Sequence, residues 1–251
     1  MEYAKLGNTD IEVSKLCVGC MSFGKAGTMH KWTLDEEQSG EVIRHALDLG
    51  INFFDTANGY SEETSEEYLG QALKKNVARD KVVIASKVYF NEGRLSKAAI
   101  EREIDGSLKR LGTDYLDLYI IHRFDFDTPI EETMGALADI VRQGKALYVG
   151  ISNYDADQTR KALAVLKEHK VPCLIHQARY SMFDRWTEPD LLPVLKEEGV
   201  GMIAFSPLAQ GLLTDKYLRG IPENSRAAKS TGHLQTSQVT PEAVEKARKL
   251  N

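Results

Sequence analysis

The chain has 251 residues, of which 42% are hydrophobic and 27% are charged, a composition typical of a globular protein with a substantial core. The formal net charge is −5 at pH 7, and no run of basic residues offers a surface for nucleic acid. The first residues, MEYAKLGNTD, lack the apolar core of a secretion signal, and no apolar stretch is long enough to cross a membrane. We therefore expect a cytoplasmic protein that has neither nucleic acid nor a membrane as a partner.

Three cysteines, Cys17, Cys20 and Cys173, are too few for a disulfide scaffold and fit a reducing compartment. The stretch CVGC has the spacing of a C-x-x-C motif. A zinc site would need a second pair of ligands at matching spacing, and the sequence contains no such pair. We expect no metal site, and we interpret the two cysteines of CVGC as small apolar strand residues.

The chain opens with a short hairpin pattern, in which YAKLG and IEV flank the turn NTD. Beyond it, seven apolar runs of strand length recur about every 30 residues, which is the size of one strand plus one helix. The runs start at residues 15, 51, 81, 115, 146, 173 and 201. Helical patterns lie between them, and several end in a glycine such as Gly50 or Gly112, which is typical of a helix C-terminus.

This alternation of strands and helices predicts a parallel sheet with helices outside it. The first strand-to-helix turn, CVGCMSFGKAG, lacks the G-x-G-x-x-G run of a doubly wound dinucleotide-binding sheet, so a closed (β/α)8 TIM barrel is favoured. Only seven strands precede the last segment, TPEAVEKARKLN. We therefore expect one domain over residues 1–251 in which the eighth strand is missing, a C-terminally incomplete barrel. Either the sequence is a fragment, or the barrel is open at one seam.

Functional side chains of such barrels lie at the carboxyl ends of the strands. Asp55 ends the second run, Lys87 the third and His122 the fourth. The residues around Lys87 are apolar, and strands two and three are expected neighbours, so we predict that Asp55 neutralises Lys87. A purely structural ion pair remains an alternative. Tyr60 follows five residues after Asp55, and a buried cation nearby would lower the pKa of its phenol from about 10.

Together these four side chains fit the protonation of a carbonyl oxygen. Tyr60 would donate the proton, Lys87 would adjust its acidity, Asp55 would hold Lys87, and His122 would orient the substrate. Taken singly, the tyrosine is also compatible with packing and the histidine with a satisfied core position. Lysine at a barrel mouth can also form a Schiff base, as in an aldolase. The neighbouring Asp55 keeps the amine protonated and disfavours that chemistry.

The stretches DTANGY, ASK and IIHR, which contain Asp55, Tyr60, Lys87 and His122, resemble the catalytic tetrad of the aldo-keto reductases. The resemblance extends through VGISNY (149–154), IHQARYSMFDR (175–185) and AFSPLAQGLLTDKY (204–217). It is greatest for the branch that contains bacterial general-stress reductases and the β subunits of voltage-gated potassium channels.

The resemblance implies an NADP(H)-dependent enzyme that reduces small aldehydes or ketones by hydride transfer, without a Rossmann motif. The cofactor contacts that it implies are Cys20 and Met21 near the nicotinamide ribose, Asp55 as a further cofactor-binding residue, Ser152, Asn153 and Gln177 at the carboxamide, Phe205 against the nicotinamide ring, Ser206, Pro207, Leu208 and Gly211 at the pyrophosphate, and Lys216 and Arg226 at further phosphates.

Family members continue beyond the last residue of this chain with the loop that contacts the 2′-phosphate, so the choice between NADP and NAD stays open, as does a homo-oligomer. A second hypothesis is a regulatory cofactor-binding subunit that resembles the channel β subunits.

Overall fold

The computed structural model describes residues 1–28, 32–229 and 233–250. The chain divides into two compact units, each of which is described by itself. The first consists of Met1–Gln177 and Asp190–Ile203, and the second of Ala178–Pro189 and Ala204–Asn251. The single domain expected over residues 1–251 stays a prediction.

A two-stranded antiparallel hairpin precedes the main sheet, as the sequence predicts. Its strands are β1 (Tyr3–Lys5) and β2 (Glu12–Ser14), with Ala4 opposite Val13. Leu6 and Val13 are both buried and join the core of the first unit, so the hairpin adds apolar surface to that core.

The main sheet has seven strands in sequence order, and each coincides with one of the predicted apolar runs. The strands are β3 (Val18–Gly19), β4 (Phe53–Asp55), β5 (Val83–Val88), β6 (Leu116–Ile121), β7 (Ala146–Ser152), β8 (Cys173–Arg179) and β9 (Gly201–Phe205). The pairings from β3 through β8 are all parallel. Neighbouring strands that are also consecutive in the chain and parallel are the arrangement of a (β/α)8 barrel. The predicted fold class, a partial barrel of this type, is confirmed.

The described part of the chain contains seven α-helices. They are α1 (Glu36–Asp48), α2 (Thr64–Asn76), α3 (Lys97–Leu111), α4 (Ile130–Arg142), α5 (Ala156–Glu168), α6 (Leu191–Glu198) and α7 (Pro241–Arg248). Helix α1 begins with a capping box, in which Asp35 accepts from the backbone of Gln38 and the Gln38 side chain accepts from the backbone of Asp35. Gly112 ends α3 in the left-handed conformation, at φ 66°, which glycine adopts without strain.

The core of the first unit explains why polar side chains meet at one end of the sheet. Phe53, Ala85, Ile120 and Ile175 belong to one buried cluster that strands β4, β5, β6 and β8 share. Side chains alternate along a strand, so the residue two positions further along each strand lies on the same face. These residues are Asp55, Lys87, His122 and Gln177. The strand pattern alone therefore directs four polar groups to the inner face at the carboxyl end.

The second unit has a small core of its own. Leu212, Tyr217, Ala227 and Leu234 are buried against one another. Helix α7 begins with the hydroxyl of Thr240, which accepts from the Ala243 amide at 3.1 Å, and it has a proline at its first position.

Candidate active site

Asp55 and Lys87 form a buried ion pair, as the sequence predicts. The Lys87 Nζ lies 2.7 Å from both carboxylate oxygens of Asp55 and donates to the Thr56 carbonyl oxygen at 2.7 Å. No part of the lysine side chain is exposed. The three acceptors leave no donor of the ammonium without a partner, which is what a buried cation requires.

The charge state of Lys87 follows from this arrangement. Burial is the largest single influence on the pKa of Lys87 and acts to lower it, but the charge of Asp55, the neighbouring Tyr60 and the hydrogen bond to Asp55 together hold that pKa above its ordinary range. A permanently protonated amine is a poor nucleophile, so the geometry disfavours the Schiff-base alternative.

A turn after β4 brings Tyr60 over this pair. The backbone of residues 56–58 continues beside β5, where the Asn58 amide donates to the Lys87 carbonyl oxygen at 3.0 Å. The Tyr60 amide then donates to the Ala57 carbonyl oxygen at 3.1 Å and closes a turn. As a result the Lys87 Nζ lies 5.1 Å from the centre of the Tyr60 ring.

The acidity of Tyr60 differs from the prediction. The pKa of Tyr60 is raised, because burial of the phenol outweighs the charge of Lys87, which acts to lower it, while Asp55 raises it further. The sequence revealed the nearby cation but not how deeply the Tyr60 side chain is buried. Tyr60 lies in a polar stretch, yet only 8% of it is exposed. The phenol therefore holds its proton at neutral pH.

His122 lies edge-on to Tyr60, with ring centres 5.6 Å apart. Burial, followed by the charges of Lys87 and Arg123, holds the pKa of His122 well below its usual range, so the imidazole is neutral. Its buried Nδ1 has no hydrogen-bond partner within the described residues. The ring is positioned by contacts instead, because Phe90 packs edge-on against it at 5.1 Å.

The three residues expected to hold a carboxamide lie next to one another at the ends of β7 and β8. Ser152 and Gln177 are cross-strand partners, and the Asn153 amide nitrogen of the backbone donates to the Gln177 carbonyl oxygen at 3.1 Å. The Asn153 side chain donates to the hydroxyl of Ser152 at 3.0 Å and to the His122 carbonyl oxygen at 3.0 Å. Side chains that carry both donors and acceptors in one place fit the donor and acceptor of a nicotinamide carboxamide.

Gln177 also makes a contact that the sequence did not predict. Its Nε2 donates to Asp55 Oδ1 at 3.1 Å. The carboxylate therefore accepts from Lys87 and from Gln177, and this bond links the end of β8 to the ion pair.

Cys20 and Met21, the residues expected near a ribose, form the first part of a short 3-10 helix, Cys20–Ser22, directly after β3. The Cys20 side chain is completely buried, and its carbonyl oxygen accepts from the hydroxyl of Ser65 at 2.7 Å. Burial raises the pKa of its thiol, so this cysteine is neutral. Met21 is half-buried.

The remaining expected cofactor residues lie in the second unit. Phe205 accepts from the Tyr180 amide at 3.3 Å, and the loop that follows has positive φ angles at Ser206, Ala209 and Gln210. Pro207, Leu208 and Gly211 lie in this loop, and Lys216 and Arg226 are exposed on two short 3-10 helices, Asp215–Tyr217 and Arg226–Ala228.

A second buried charge network lies on the outer side of β5 and was missed. The Glu66 carboxylate is wholly buried, accepts from the hydroxyl of Ser86, and accepts from Arg110 Nε at 2.7 Å. Arg110 Nη1 also contacts Glu63 at 3.1 Å. The stretch SEETSEE has the composition of a solvated segment, so only the position of Glu66 on the inner side of α2 identifies it as buried.

Among the described residues, no group of histidine, cysteine, aspartate or glutamate side chains is arranged to hold a metal ion. None of the described helices is both long and apolar enough to span a membrane.

This chain is similar to several known proteins. The model of the aldo/keto reductase family matches residues 15–251. An L-glyceraldehyde 3-phosphate reductase of Escherichia coli (strain K12) is 41% identical over 240 residues, which cover 90% of this chain and 67% of that protein. A probable voltage-gated potassium channel subunit beta of Oryza sativa subsp. japonica is 36% identical over 238 residues, 91% of this chain and 70% of that protein.

A solved structure shows the same fold. The crystal structure of a thermostable aldo-keto reductase in complex with the inhibitor epalrestat is similar to this chain, with a TM-score of 0.76 and 35% sequence identity. The match covers 86% of this chain and 76% of that one. The chain belongs to the aldo/keto reductase family, a family of oxidoreductases that use a nicotinamide cofactor.

Proposed function

We propose that this protein is an NADP(H)-dependent reductase that converts aldehydes or ketones to alcohols, with Tyr60 as the proton donor. One observation carries the proposal, the buried Lys87 ammonium that Asp55 holds beneath the ring of Tyr60 while His122 lies edge-on to the same ring. The family membership and the names of the relatives, an L-glyceraldehyde 3-phosphate reductase among them, support a small carbonyl compound as the substrate.

In this proposal the four side chains share the work of moving one proton. Tyr60 donates the proton of its hydroxyl to the carbonyl oxygen as that oxygen gains negative charge. Lys87 stabilises the phenolate that remains, and Asp55 keeps the lysine in place. His122 is neutral and binds the substrate oxygen through its ring, so that the oxygen faces Tyr60.

Ser152, Asn153 and Gln177 would hold the nicotinamide through its carboxamide, and Asp55, Cys20 and Met21 would lie near its ribose. When bound, NADP(H) supplies the hydride that the carbonyl carbon accepts. Within the second unit, the proposed contacts are Phe205 for the nicotinamide ring, Ser206, Pro207, Leu208 and Gly211 for the pyrophosphate, and Lys216 and Arg226 for the remaining phosphates. We place this activity in the cytoplasm.

The substitution Tyr60→Phe tests the proposal. It removes only the hydroxyl, so we expect turnover of an aldehyde panel to fall by about 10²- to 10⁴-fold while fluorescence titration still shows saturable binding of NADPH. Tyr115→Phe is the matched control, because that ring packs against Arg79 at the other end of β6. Near-wild-type turnover by Tyr60→Phe would rule out the proton-donor role, and tighter binding of NADH than of NADPH would contradict the choice of cofactor.

The similarity to a channel β subunit supports a second candidate function, that of a cofactor-binding subunit that regulates a partner. This candidate predicts saturable NADPH binding with negligible turnover on every carbonyl compound, and a partner protein that copurifies. Turnover that depends on the hydroxyl of Tyr60 would support the reductase function over the regulatory one.

A further inference from the structure

An arginine beside His122 has no part in the proton transfer described above. Arg123 follows His122 directly at the end of β6 and is exposed. Its guanidinium carbon lies 5.7 Å from the centre of the Phe90 ring, and Phe90 in turn packs edge-on against His122 at 5.1 Å. The half-exposed ring of Phe90 therefore lies near both the imidazole of His122 and the guanidinium of Arg123.

No carboxylate of the described residues neutralises the Arg123 guanidinium. Within residues 1–28, 32–229 and 233–250, Arg123 makes no ion pair with a carboxylate. The carboxylate nearest in the chain, Asp125, is buried and stabilises its own turn, where it accepts from the Asp127 amide at 3.1 Å and from the hydroxyl of Thr128 at 2.8 Å. Both carboxylate oxygens of Asp125 therefore already accept hydrogen bonds within this turn.

Arg123 places a positive charge next to His122. The charges of Lys87 and Arg123 both act, after burial, to lower the pKa of His122, which shows that the guanidinium is close enough to act on the substrate-orienting imidazole. Asp55 already pairs with Lys87, so the exposed Arg123 is the cation beside His122 that can attract an anion. The guanidinium lies over the Phe90 ring, and arginine binds carboxylate and phosphate groups through paired hydrogen bonds.

We propose that Arg123 binds a carboxylate or phosphate group on the carbonyl substrate, with Phe90 contacting the carbon chain between that group and the carbonyl held at His122. The inference rests on the proposed reductase function and narrows it to carbonyl compounds that carry an anionic group. A solvated arginine with no role in binding would not discriminate between charged and neutral substrates.

Matched substrate pairs test the inference. Succinic semialdehyde with butanal probes a carboxylate, and glyceraldehyde 3-phosphate with glyceraldehyde probes a phosphate. We expect the wild-type protein to prefer the anionic member of at least one pair, and Arg123→Gln to reduce that ratio of kcat/KM by about 10- to 100-fold, mainly through KM. Arg123→Lys should keep part of the preference. Arg94→Gln is the control, because Arg94 also lies over an aromatic ring, that of Tyr89.

A binding measurement makes the test independent of turnover. Succinate and glycerol 3-phosphate have no carbonyl to reduce, and their affinity is measured by NMR titration of the wild-type protein and of Arg123→Gln. Loss of binding in the variant supports the inference, and the probe that binds identifies the anion. Equal binding by both proteins, or equal substrate ratios, would overturn it even if the reductase is confirmed. If the wild-type protein reduces no carbonyl compound but binds the anion, and Arg123→Gln loses that binding, the proposed reductase function is overturned and the anion site is not.

Discussion

The ammonium of Lys87 lies 2.7 Å from each carboxylate oxygen of Asp55, in a place where none of the lysine side chain is exposed. Desolvating two opposite charges costs several kcal/mol per ion, and their attraction offsets that cost only while both are present. Either buried charge without the other would therefore destabilise the folded protein. The pairing with Asp55 also holds the Lys87 ammonium beneath the ring of Tyr60.

Asp55→Asn should destabilise the protein strongly, because it leaves the buried Lys87 without a counter-charge. We expect the free energy of unfolding to fall by about 3–5 kcal/mol in urea denaturation. Adding Lys87→Met to this variant should restore part of the loss, since it removes the unpaired charge, and the double-mutant cycle measures the coupling. The control is Asp10→Asn, which breaks an exposed pair with Lys5 and should change little. Equal effects of Asp55→Asn and Asp10→Asn would contradict the prediction.

Arg110→Met should also destabilise the protein, and the loss should depend on pH. Arg110 contacts both Glu66, which is wholly buried, and Glu63. Burial raises the pKa of Glu66 even with Arg110 present, and removing the guanidinium raises it further. We expect a loss of about 3–5 kcal/mol in the free energy of unfolding at pH 8.

The sign of the pH effect follows from that raised pKa. A carboxyl group that binds its proton more readily in the folded state favours folding below its folded-state pKa and loses this contribution as the pH rises through it. The deficit of Arg110→Met relative to wild type should therefore shrink at pH 5. Arg142→Met, which removes an exposed partner of Asp139, is the control. A deficit that is the same at pH 5 and pH 8 would show that the guanidinium does not act on a buried carboxylate.

The order of the strands and the Asp55–Lys87 pair could be predicted from the sequence for one reason. In a parallel sheet with consecutive strands as neighbours, apolar runs locate the strands, and a polar residue at the end of a run marks the carboxyl end. Lys87 has apolar neighbours on both sides in VVIASKVYF, so only a carboxylate on the adjacent strand could neutralise it. Both steps use the local sequence and one rule of topology.

The features that were missed depend on contacts between distant segments. The pKa of Tyr60 depends on how much protein covers the ring, which a polar stretch does not reveal. Gln177 meets Asp55 across 122 residues, and this requires the geometry of the sheet rather than a motif. Arg123 and Phe90 each stand one to three residues from a predicted catalytic side chain, so adjacency to His122 and Lys87 is the only signal that could have identified them.

Gly70→Ala and Gly40→Ala should have opposite effects, although both glycines lie within helices. A methyl group at Gly70 would lie 2.7 Å from the carbonyl carbon of Leu111, where α2 packs against the end of α3, and backbone cannot move away cheaply. We expect Gly70→Ala to lower the free energy of unfolding by about 1–3 kcal/mol. At Gly40 in α1, an added methyl group would meet no described atom within 4 Å outside the backbone of its own helix and its chain neighbours, so Gly40→Ala should raise the free energy of unfolding by about 0.5–1 kcal/mol. Urea denaturation of both variants checks the prediction, and two changes of the same sign would contradict it.

The stability of the protein should fall as the pH is lowered from about 6.5 to 4, in part because of His176. This side chain is wholly buried, and its Nε2 lies 3.0 Å from the Tyr154 carbonyl oxygen. Burial lowers the pKa of His176 to about 4, against an opposing effect of that carbonyl. Between the two pKa values the unfolded chain binds a proton that the folded chain does not, so acid favours unfolding in this window.

The expected size follows from the linkage between proton binding and folding. One proton contributes about 1.4 kcal/mol for each pH unit, so His176 should contribute a loss of about 3 kcal/mol across the window. Carboxylates titrate in the same range, and the lowered pKa of His122 acts in the same direction. The informative quantity is therefore the difference in slope between wild type and His176→Gln, measured by urea denaturation from pH 7 to pH 4.5, with His45→Gln at an exposed position as the control. The slope should be shallower in His176→Gln, and parallel curves would mean that the imidazole is protonated as readily in the folded protein as in the unfolded chain.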